Sequence, residues 1–182
     1  MKQLKNDVGT AFEKDPAAAS RFIVWWTYPG VRAIRSHRFC AWLYKRGLKG
    51  LAMIFAARSR RKTGIEIHPA AKIGQRVFID HGMGVVIGET AEVGNDVTIY
   101  QGVTLGGTGK DTGKRHPTIE DGVLISTGAK VLGPFTVKRN AKIGANSVVL
   151  KEVPEGATVV GIPAKVVRIN GQKPIEEEYE AE

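Results

Sequence analysis

The feature that most constrains this chain is a recurrence of branched apolar residues. Between residues 67 and 149 such a residue stands at every sixth position, with two interruptions: Ile67, Ile73, Ile79, Ile87, Val93, Ile99, Leu105, Ile119, Ile125, Val131, Val137, Ile143 and Val149. This period matches neither an α-helix nor an isolated strand. It is typical of a hexapeptide β-helix, in which each hexapeptide forms a short strand and a corner, and three hexapeptides form one triangular coil.

A prism packed with Ile and Val has no internal room for chemistry, so functional residues are expected outside it. The two interruptions are the places to look. The step from Ile79 to Ile87 is eight residues, and the step from Leu105 to Ile119 is fourteen. The first insertion contains His81 and the second contains His116, out of four histidines in the chain.

The chain is expected to have three parts. Residues 1–63 are predicted to be helical, with a helix starting at Asp15-Pro16, a break at Tyr28-Pro29 and an end at Gly64. Residues 64–168 are predicted to form the β-helix. Residues 169–182 are predicted to be a flexible acidic tail, because five of the last seven residues are Glu.

The net charge of +9 is concentrated near the N-terminus, where residues 1–66 hold 14 Lys or Arg and 4 Asp or Glu. A basic body attracts nucleic acid, a membrane surface or a phosphorylated cofactor. Four cations are clustered, and the favoured interpretation is a solvated helix end: Arg58, Arg60, Arg61 and Lys62. No nucleic-acid motif is present, so no nucleic-acid partner is expected.

No apolar run approaches the roughly 20 residues of a membrane span, so no membrane association is expected. The N-terminus lacks the apolar segment of a signal peptide. The single cysteine, Cys40, cannot form an internal disulfide. These features together predict a cytoplasmic protein.

His81 is the first candidate for catalysis. It lies in the Gly-rich segment Asp80-His81-Gly82, where the two extra residues break the repeat and would hold an exposed imidazole. Glu66 lies fifteen residues earlier, close to one eighteen-residue coil, so the two side chains are expected about one rung apart. A carboxylate on one imidazole nitrogen fixes the tautomer and leaves the other nitrogen free as a base.

The remaining histidines and the glycine cluster are weighed separately. His116, on the second insertion, is a candidate site residue, whereas His68 and His37 are expected to be structural. The segment Gly106–Lys110 matches neither nucleotide-binding glycine motif. Its glycines are expected to permit close approach of a ligand chain. A zinc site would need His81, His116 and Asp80 together, which is disfavoured, so no metal is expected.

Several stretches together resemble one family closely. They are Gly64-Ile65-Glu66-Ile67-His68-Pro69-Ala70-Ala71-Lys72-Ile73-Gly74, then 79–90, then Tyr100-Gln101-Gly102-Val103-Thr104-Leu105-Gly106-Gly107-Thr108-Gly109, then Lys114-Arg115-His116-Pro117-Thr118-Ile119. This pattern resembles the serine O-acetyltransferases, in their short bacterial form, over about residues 13 to 168. The family belongs to the hexapeptide-repeat acyltransferases.

The resemblance implies fold, reaction and partners. The implied fold is an N-terminal helical region followed by a left-handed parallel β-helix, a hand that the usual crossover rule would not predict. The implied reaction transfers acetyl from acetyl-CoA to L-serine and gives O-acetylserine and CoA, the first step of cysteine biosynthesis. L-Cysteine is the implied inhibitor. The implied assembly is a homotrimer or a dimer of trimers, with active sites between subunits.

The resemblance also assigns roles by position. His81 matches the general base and Glu66 its carboxylate partner. Asp15 and Asp80 match the carboxylates that hold the serine amino group. Arg115 and His116 match the pair that engages the serine carboxylate and the reacting region. Backbone contacts to the pantetheine arm of acetyl-CoA match three positions: Gly107, Thr127 and Ala145.

Three departures from the family pattern carry expectations. Ser126-Thr127 replaces the commoner Gly-Ala and would narrow the CoA groove. Arg32 replaces a common His in the second helix and would perturb serine or cysteine binding, for example by pairing with Asp15. The sequence ends in Tyr179-Glu180-Ala181-Glu182 rather than the Ile by which many relatives dock into cysteine synthase, so that complex is not expected.

Two other functions stay open at this point. One is another hexapeptide-repeat acetyltransferase, acting on a sugar or a xenobiotic. The other is a zinc lyase built on the same repeat. Asp15 favours serine over the first, because a carboxylate suits an amino group, and the metal content would separate the second.

Overall fold

A computed structural model describes residues 2–109 and 112–173, apart from the side chains of residues 2–6. Four helices come first: α1 (Lys2–Lys14), α2 (Arg21–Thr27), α3 (Pro29–Lys45) and α4 (Lys49–Thr63). Fifteen strands follow within the described residues: β1 (Glu66–Ile67), β2 (Lys72–Ile73), β3 (Phe78–Ile79), β4 (Val86–Ile87), β5 (Glu92–Val93), β6 (Thr98–Ile99), β7 (Thr104–Gly106), β8 (Thr118–Ile119), β9 (Leu124–Ile125), β10 (Lys130–Leu132), β11 (Thr136–Val137), β12 (Lys142–Ile143), β13 (Val148–Val149), β14 (Ala157–Gly161) and β15 (Ala164–Ile169). Residues 174–182, which hold the five glutamates of the predicted acidic tail, lie outside the described part.

The strands build the three faces of a prism. Face A stacks β1, β4, β7, β10 and β13, face B stacks β2, β5, β8 and β11, and face C stacks β3, β6, β9, β12, β14 and β15. Every pairing between successive coils is parallel. The chain therefore visits the faces in the order A, B, C. We call the three turns the AB, BC and CA corners after the faces that they join.

The two insertions leave the register of the repeat intact. Across the first, Ile79 pairs with Ile99, and across the second, Val93 pairs with Ile119. Where no insertion intervenes, Ile87 pairs with Leu105. The repeat positions of neighbouring coils therefore stack on one another, and from Ile87 onward they are at most 3% exposed. The extra residues leave the coil at the corners instead of entering the prism.

The predicted repeat and the predicted helical region are both confirmed. One detail is wrong: no helix starts at Asp15-Pro16. Helix α1 ends at Lys14, and α2 begins after Ser20, whose hydroxyl accepts a hydrogen bond from the Ile23 N–H at 3.2 Å. The Asp15 carboxylate accepts instead from the Ala17 N–H at 2.8 Å, so this Asp stabilises a turn between two helices.

The helices pack against the first coils of the prism. Gly30, in the first turn of α3, lies so close to the Ile79 carbonyl oxygen that a Cβ atom there would stand 2.1 Å from it. Lys14 donates to the Asp96 carbonyl and the Thr98 hydroxyl, each at 3.0 Å. Gly30 thus brings α3 beside the CA corner that follows Ile79, whereas Lys14 joins the end of α1 to a BC corner and to β6.

The two ends of the prism are closed differently. At the start, Gly64 ends α4 in the left-handed region with φ 71°, a conformation in which glycine has no Cβ clash. At the other end, β14 and β15 form the antiparallel pair of face C. Among the described residues no helix is both long and apolar enough to cross a membrane.

Because the prism is filled, removing side-chain volume from it should be costly. Leu105 is 0% exposed, and we expect Leu105→Ala to lower the free energy of unfolding by about 2 to 5 kcal/mol. Leu150 is 49% exposed and provides the control, for which Leu150→Ala should cost well under 1 kcal/mol. Denaturant unfolding followed by circular dichroism measures both. Equal losses would show that the prism tolerates cavities.

Candidate active site

The first insertion places His81 on the outside of the prism. It follows Ile79 and Asp80 at a CA corner, and its backbone is in the left-handed region with φ 55°. Such a conformation is uncommon for a residue with a Cβ, and in this fold several other turns adopt it as well, among them those at Asp96 and Asn146. Its side chain is 75% exposed, and Nε2 lies 3.9 Å from Asp80 Oδ1. The exposed imidazole expected from the sequence is present.

Asp15 reaches the same corner from the helical region. Its carboxylate accepts a hydrogen bond from the Tyr28 hydroxyl. That bond, the Ala17 N–H and a smaller effect of His81 hold the pKa of Asp15 below its usual range. The same bond raises the pKa of Tyr28 to about 12. Asp15 is therefore a fixed anion near His81 and Asp80, as a binding site for an ammonium group requires. Arg32 is not among its partners.

Glu66 lies on β1 with an outward-facing side chain. Its carboxylate accepts from Arg60 Nη1 at 2.8 Å, and both side chains are about half exposed. Among the described residues it is Arg60, not His81, that pairs with Glu66. An ion pair this exposed stabilises the protein by no more than about 1 kcal/mol. The Glu66 carboxylate can therefore leave Arg60 for another partner at little cost.

The second insertion folds back so that His116 is buried, at 8% exposure, at an AB corner. Its Nδ1 accepts from the Thr90 N–H at 3.2 Å and lies 2.8 Å from the Thr90 hydroxyl. Since a backbone N–H can only donate, Nδ1 carries no proton, and the neutral ring carries its proton on Nε2. His116 is therefore a directed donor rather than a solvated loop residue.

Thr90 also fixes the backbone that leads into this ring. Its hydroxyl oxygen accepts from the Arg115 N–H at 3.0 Å and from the His116 N–H at 3.1 Å. Arg115 pairs with Glu89 at 2.9 Å. Burial, and next the charge of Arg115, lower the pKa of His116, which keeps its imidazole neutral at pH 7.

Space for the His116 ring depends on a glycine. A Cβ atom at Gly88 would lie 2.1 Å from both Cδ2 and Nε2 of that ring. The hexapeptide pattern predicts a glycine after Ile87 as a repeat feature. The structure gives it a second use at this corner, because only glycine leaves the imidazole in place.

Within one chain the predicted site residues occupy two corners of the prism. Asp80, His81, Thr127 and Ala145 follow strands of face C and lie at CA corners, with Asp15 beside them. The AB corners hold the others: Gly107, Arg115 and His116. Glu66 lies on face A between these edges. The three positions expected to contact the pantetheine arm are thus divided between the two corners.

The other two histidines are structural, as expected. The His68 ring packs edge-on against Tyr44 at 5.8 Å, and its Nδ1 accepts from the Ala70 N–H at 3.1 Å. His37 is 6% exposed between α3 and the prism, and burial lowers its pKa to about 4. In the described part of the chain, no three His, Cys, Asp or Glu side chains are grouped to hold a metal ion.

Sequence reasoning missed three residues that position the site: Tyr28, Glu89 and Thr90. Each acts on a predicted residue through a contact between segments that are 13 to 26 positions apart. For Thr90 a signal existed, because it stands at the AB corner one coil before His116. Counting coils with the insertion included would have brought the two together.

Comparison with known proteins gives the family. A serine acetyltransferase of Bacillus licheniformis is 64% identical over 172 residues, which is 94% of this chain and 80% of that protein. No family model matches the chain.

Two solved structures are similar over most of the chain. A serine acetyltransferase in complex with cysteine matches with TM-score 0.90 and 44% identity, covering 92% of this chain and 65% of that one. A serine acetyltransferase of Brucella abortus in complex with coenzyme A matches with TM-score 0.88 and 46% identity, covering 91% and 66%. Serine acetyltransferases have a left-handed β-helix, and a right-handed coil could not superpose on them so well. The β-helix of this chain is therefore left-handed, as expected from the resemblance. The chain therefore belongs to the serine acetyltransferase family and is an acetyl-CoA-dependent O-acyltransferase.

Proposed function

We propose that the chain transfers the acetyl group of acetyl-CoA to the L-serine hydroxyl with His81 as general base. The observation that carries this assignment is the inserted corner that presents His81 outside the packed prism, next to Asp80 and Asp15. A serine hydroxyl is a poor nucleophile at neutral pH. An imidazole within reach of its proton typically contributes a 10²- to 10⁴-fold acceleration.

In the proposed reaction the serine oxygen attacks the thioester carbonyl while His81 accepts the hydroxyl proton. The tetrahedral intermediate then expels the CoA sulfur, and the imidazolium returns the proton to it. Backbone N–H groups of the Gly-rich segment at Gly106-Gly107 are suited to stabilise the oxyanion. Attack is direct in this scheme. Cys40 is buried in the helical region and burial raises the pKa of its thiol, which makes it a poor acyl carrier.

Asp15 and Asp80 are proposed to bind the serine ammonium group. The Tyr28 hydroxyl keeps one Asp15 oxygen in place while the carboxylate stays ionised. Because Asp15 belongs to the segment between α1 and α2, substrate binding at this corner joins the helices to the β-helix.

Arg115 and His116 are proposed to bind the serine carboxylate. Arg115 supplies a cation, and neutral His116 supplies the Nε2 proton whose direction Thr90 fixes. These donors lie at an AB corner, whereas His81 lies at a CA corner. A site that uses both needs a second copy of the chain, which supports a homotrimer with active sites between subunits.

Glu66 is proposed to orient His81 and to stabilise its imidazolium. Release from Arg60 would cost little, since that ion pair is exposed on both sides. For acetyl-CoA, the backbones of Gly107, Thr127 and Ala145 are proposed to line the groove for the pantetheine arm. Their division between AB and CA corners supports the proposal of a groove between subunits. A cytoplasmic location fits a substrate pair of this kind.

His81→Ala should lower kcat by about 10²- to 10⁴-fold without unfolding the protein, because the side chain is exposed and packs against nothing in the prism. Steady-state kinetics with serine and circular dichroism measure the two effects. Near-normal turnover in the purified variant would refute His81 as the base.

A mixing experiment tests the shared site. His81→Ala and His116→Ala chains, unfolded together and refolded, should form mixed trimers in which about a quarter of the sites have both histidines. Activity should then rise well above that of either variant refolded alone. If each chain carries a complete site, the mixture will show no recovery.

Thr90→Val should raise KM for serine roughly three- to tenfold and change kcat less, because it removes hydrogen bonds that orient His116 and Arg115 without touching His81. The matched control is Thr136→Val, which alters an outward-facing threonine of β11. Serine kinetics for both variants give the split between KM and kcat. Equal effects of the two substitutions would show that Thr90 does not position the site.

Cysteine differs from serine only in its thiol, so it should inhibit competitively with serine by occupying the same groups. Asp15→Ala should then weaken cysteine inhibition more than it lowers kcat, since inhibition depends on binding alone while chemistry depends on His81. Serine kinetics at several cysteine concentrations, for both proteins, measure this. Non-competitive inhibition, or unchanged sensitivity in Asp15→Ala, would contradict it.

A further inference from the structure

A second basic site lies between α3 and α4, away from the serine and CoA groups described above. It is a cavity of about 280 Å³ whose walls include four cations: Arg32, Arg35, Arg58 and Lys62. Arg32 and Arg35 come from successive turns of α3, and Arg58 and Lys62 are four apart on α4. The two helices thus direct their positive side chains toward one space.

Within the part of the chain that the structure describes, no acidic side chain lines this cavity. Among the described residues, none of its four cations forms an ion pair, although Arg60 of the same helix pairs with Glu66 and Arg38 of α3 pairs with Asp7. The interpretation of residues 58–62 as a solvated helix end is therefore incomplete. Arg58 and Lys62 line the same cavity as Arg32 and Arg35 of α3. Like charges gathered in this way repel one another, and a bound anion would relieve the repulsion.

Arg35 is held in a fixed orientation at the wall of this cavity. Its guanidinium packs over the Trp25 ring at 4.2 Å. Its Nη1 is buried, so a ligand in the cavity would reach the other, accessible part of the guanidinium. Burial, and next the charge of Arg32, lower the pKa of Arg35. A planar cation with a fixed orientation is suited to bind an oxyanion.

The rest of the wall narrows the ligand class. Ser36 and Ser59 add hydroxyl groups to the lining, and Phe55 adds an apolar surface. The Thr63 hydroxyl is already used, because it donates to the Ser59 carbonyl at 2.8 Å. Hydroxyls and guanidinium groups are the donors that phosphate and sulfate accept from most readily. A volume near the lower limit for ligand sites leaves room for a small organic group beside the oxyanion.

We propose that the cavity between α3 and α4 binds a small molecule that bears a phosphate or sulfate group. The oxyanion contacts Arg35 and the three other cations, and an organic part, where one is present, rests on Phe55. This site is separate from the groove for acetyl-CoA, which the roles proposed above place at the AB and CA corners of the prism.

Calorimetry on the full chain tests the proposal, with inorganic phosphate, sulfate and phenyl phosphate as probes. Excess CoA keeps its own groove filled, and NaCl holds the ionic strength constant. We expect saturable binding of at least one probe. Tighter binding of phenyl phosphate than of phosphate would identify a monoester site on Phe55, and equal binding would identify a free-anion site.

The decisive comparison uses two double variants with the same loss of charge. Arg58→Gln/Lys62→Gln removes two exposed cations of the cavity, and Arg61→Gln/Lys142→Gln removes two exposed cations elsewhere. We expect the first to raise Kd at least tenfold and the second to leave it within twofold. Equal weakening of probe binding in both double variants would show that the anions respond to the net charge of the protein and not to this cavity. Absence of binding by all three probes, or displacement by CoA, would also overturn the proposal.

Discussion

Each coil of this protein depends on hydrogen bonds from its short strands to the strands of the next coil. The Val86 N–H donates to the Val103 carbonyl, and the Thr104 N–H donates to the Ala129 carbonyl, each at 2.9 to 3.0 Å. Because strands β1 to β13 are only two or three residues long, none of them is stable alone. The stack must therefore keep its register, so extra residues can be inserted only at a corner. Both insertions obey this constraint and supply the histidines on which the proposed chemistry rests.

The repeat was predictable because its physics is local. A branched residue at every sixth position packs into the same column whatever lies at the corners, and Ile79 and Ile99 meet across an insertion as a consequence. The start of α2 was predicted wrongly because Asp15 forms a turn and accepts a hydrogen bond from Tyr28, which lies between α2 and α3. The position of His116 was not predictable from its loop, since its burial depends on Thr90 and on the missing Cβ of Gly88.

The family resemblance assigns one site to residues that lie at two separate corners of this chain. A resemblance gives the roles of residues in a complete site, whereas the structure of one chain gives only the positions of its own residues. Here one edge offers an exposed imidazole with carboxylates, and the other offers a buried imidazole with a guanidinium. In the site proposed above, these two sets of chemical groups have complementary roles.

The closed ends of the prism have a consequence for its solution behaviour. An open stack of parallel strands presents unpaired amides that could recruit another stack, as amyloid fibrils do. Here α3 and α4 cover the first coil, and β15 runs antiparallel to β14, so the last strand of face C offers no parallel continuation. On face C, the repeat that would allow unlimited growth is thus ended by an antiparallel strand, which works against end-to-end polymerisation along that face.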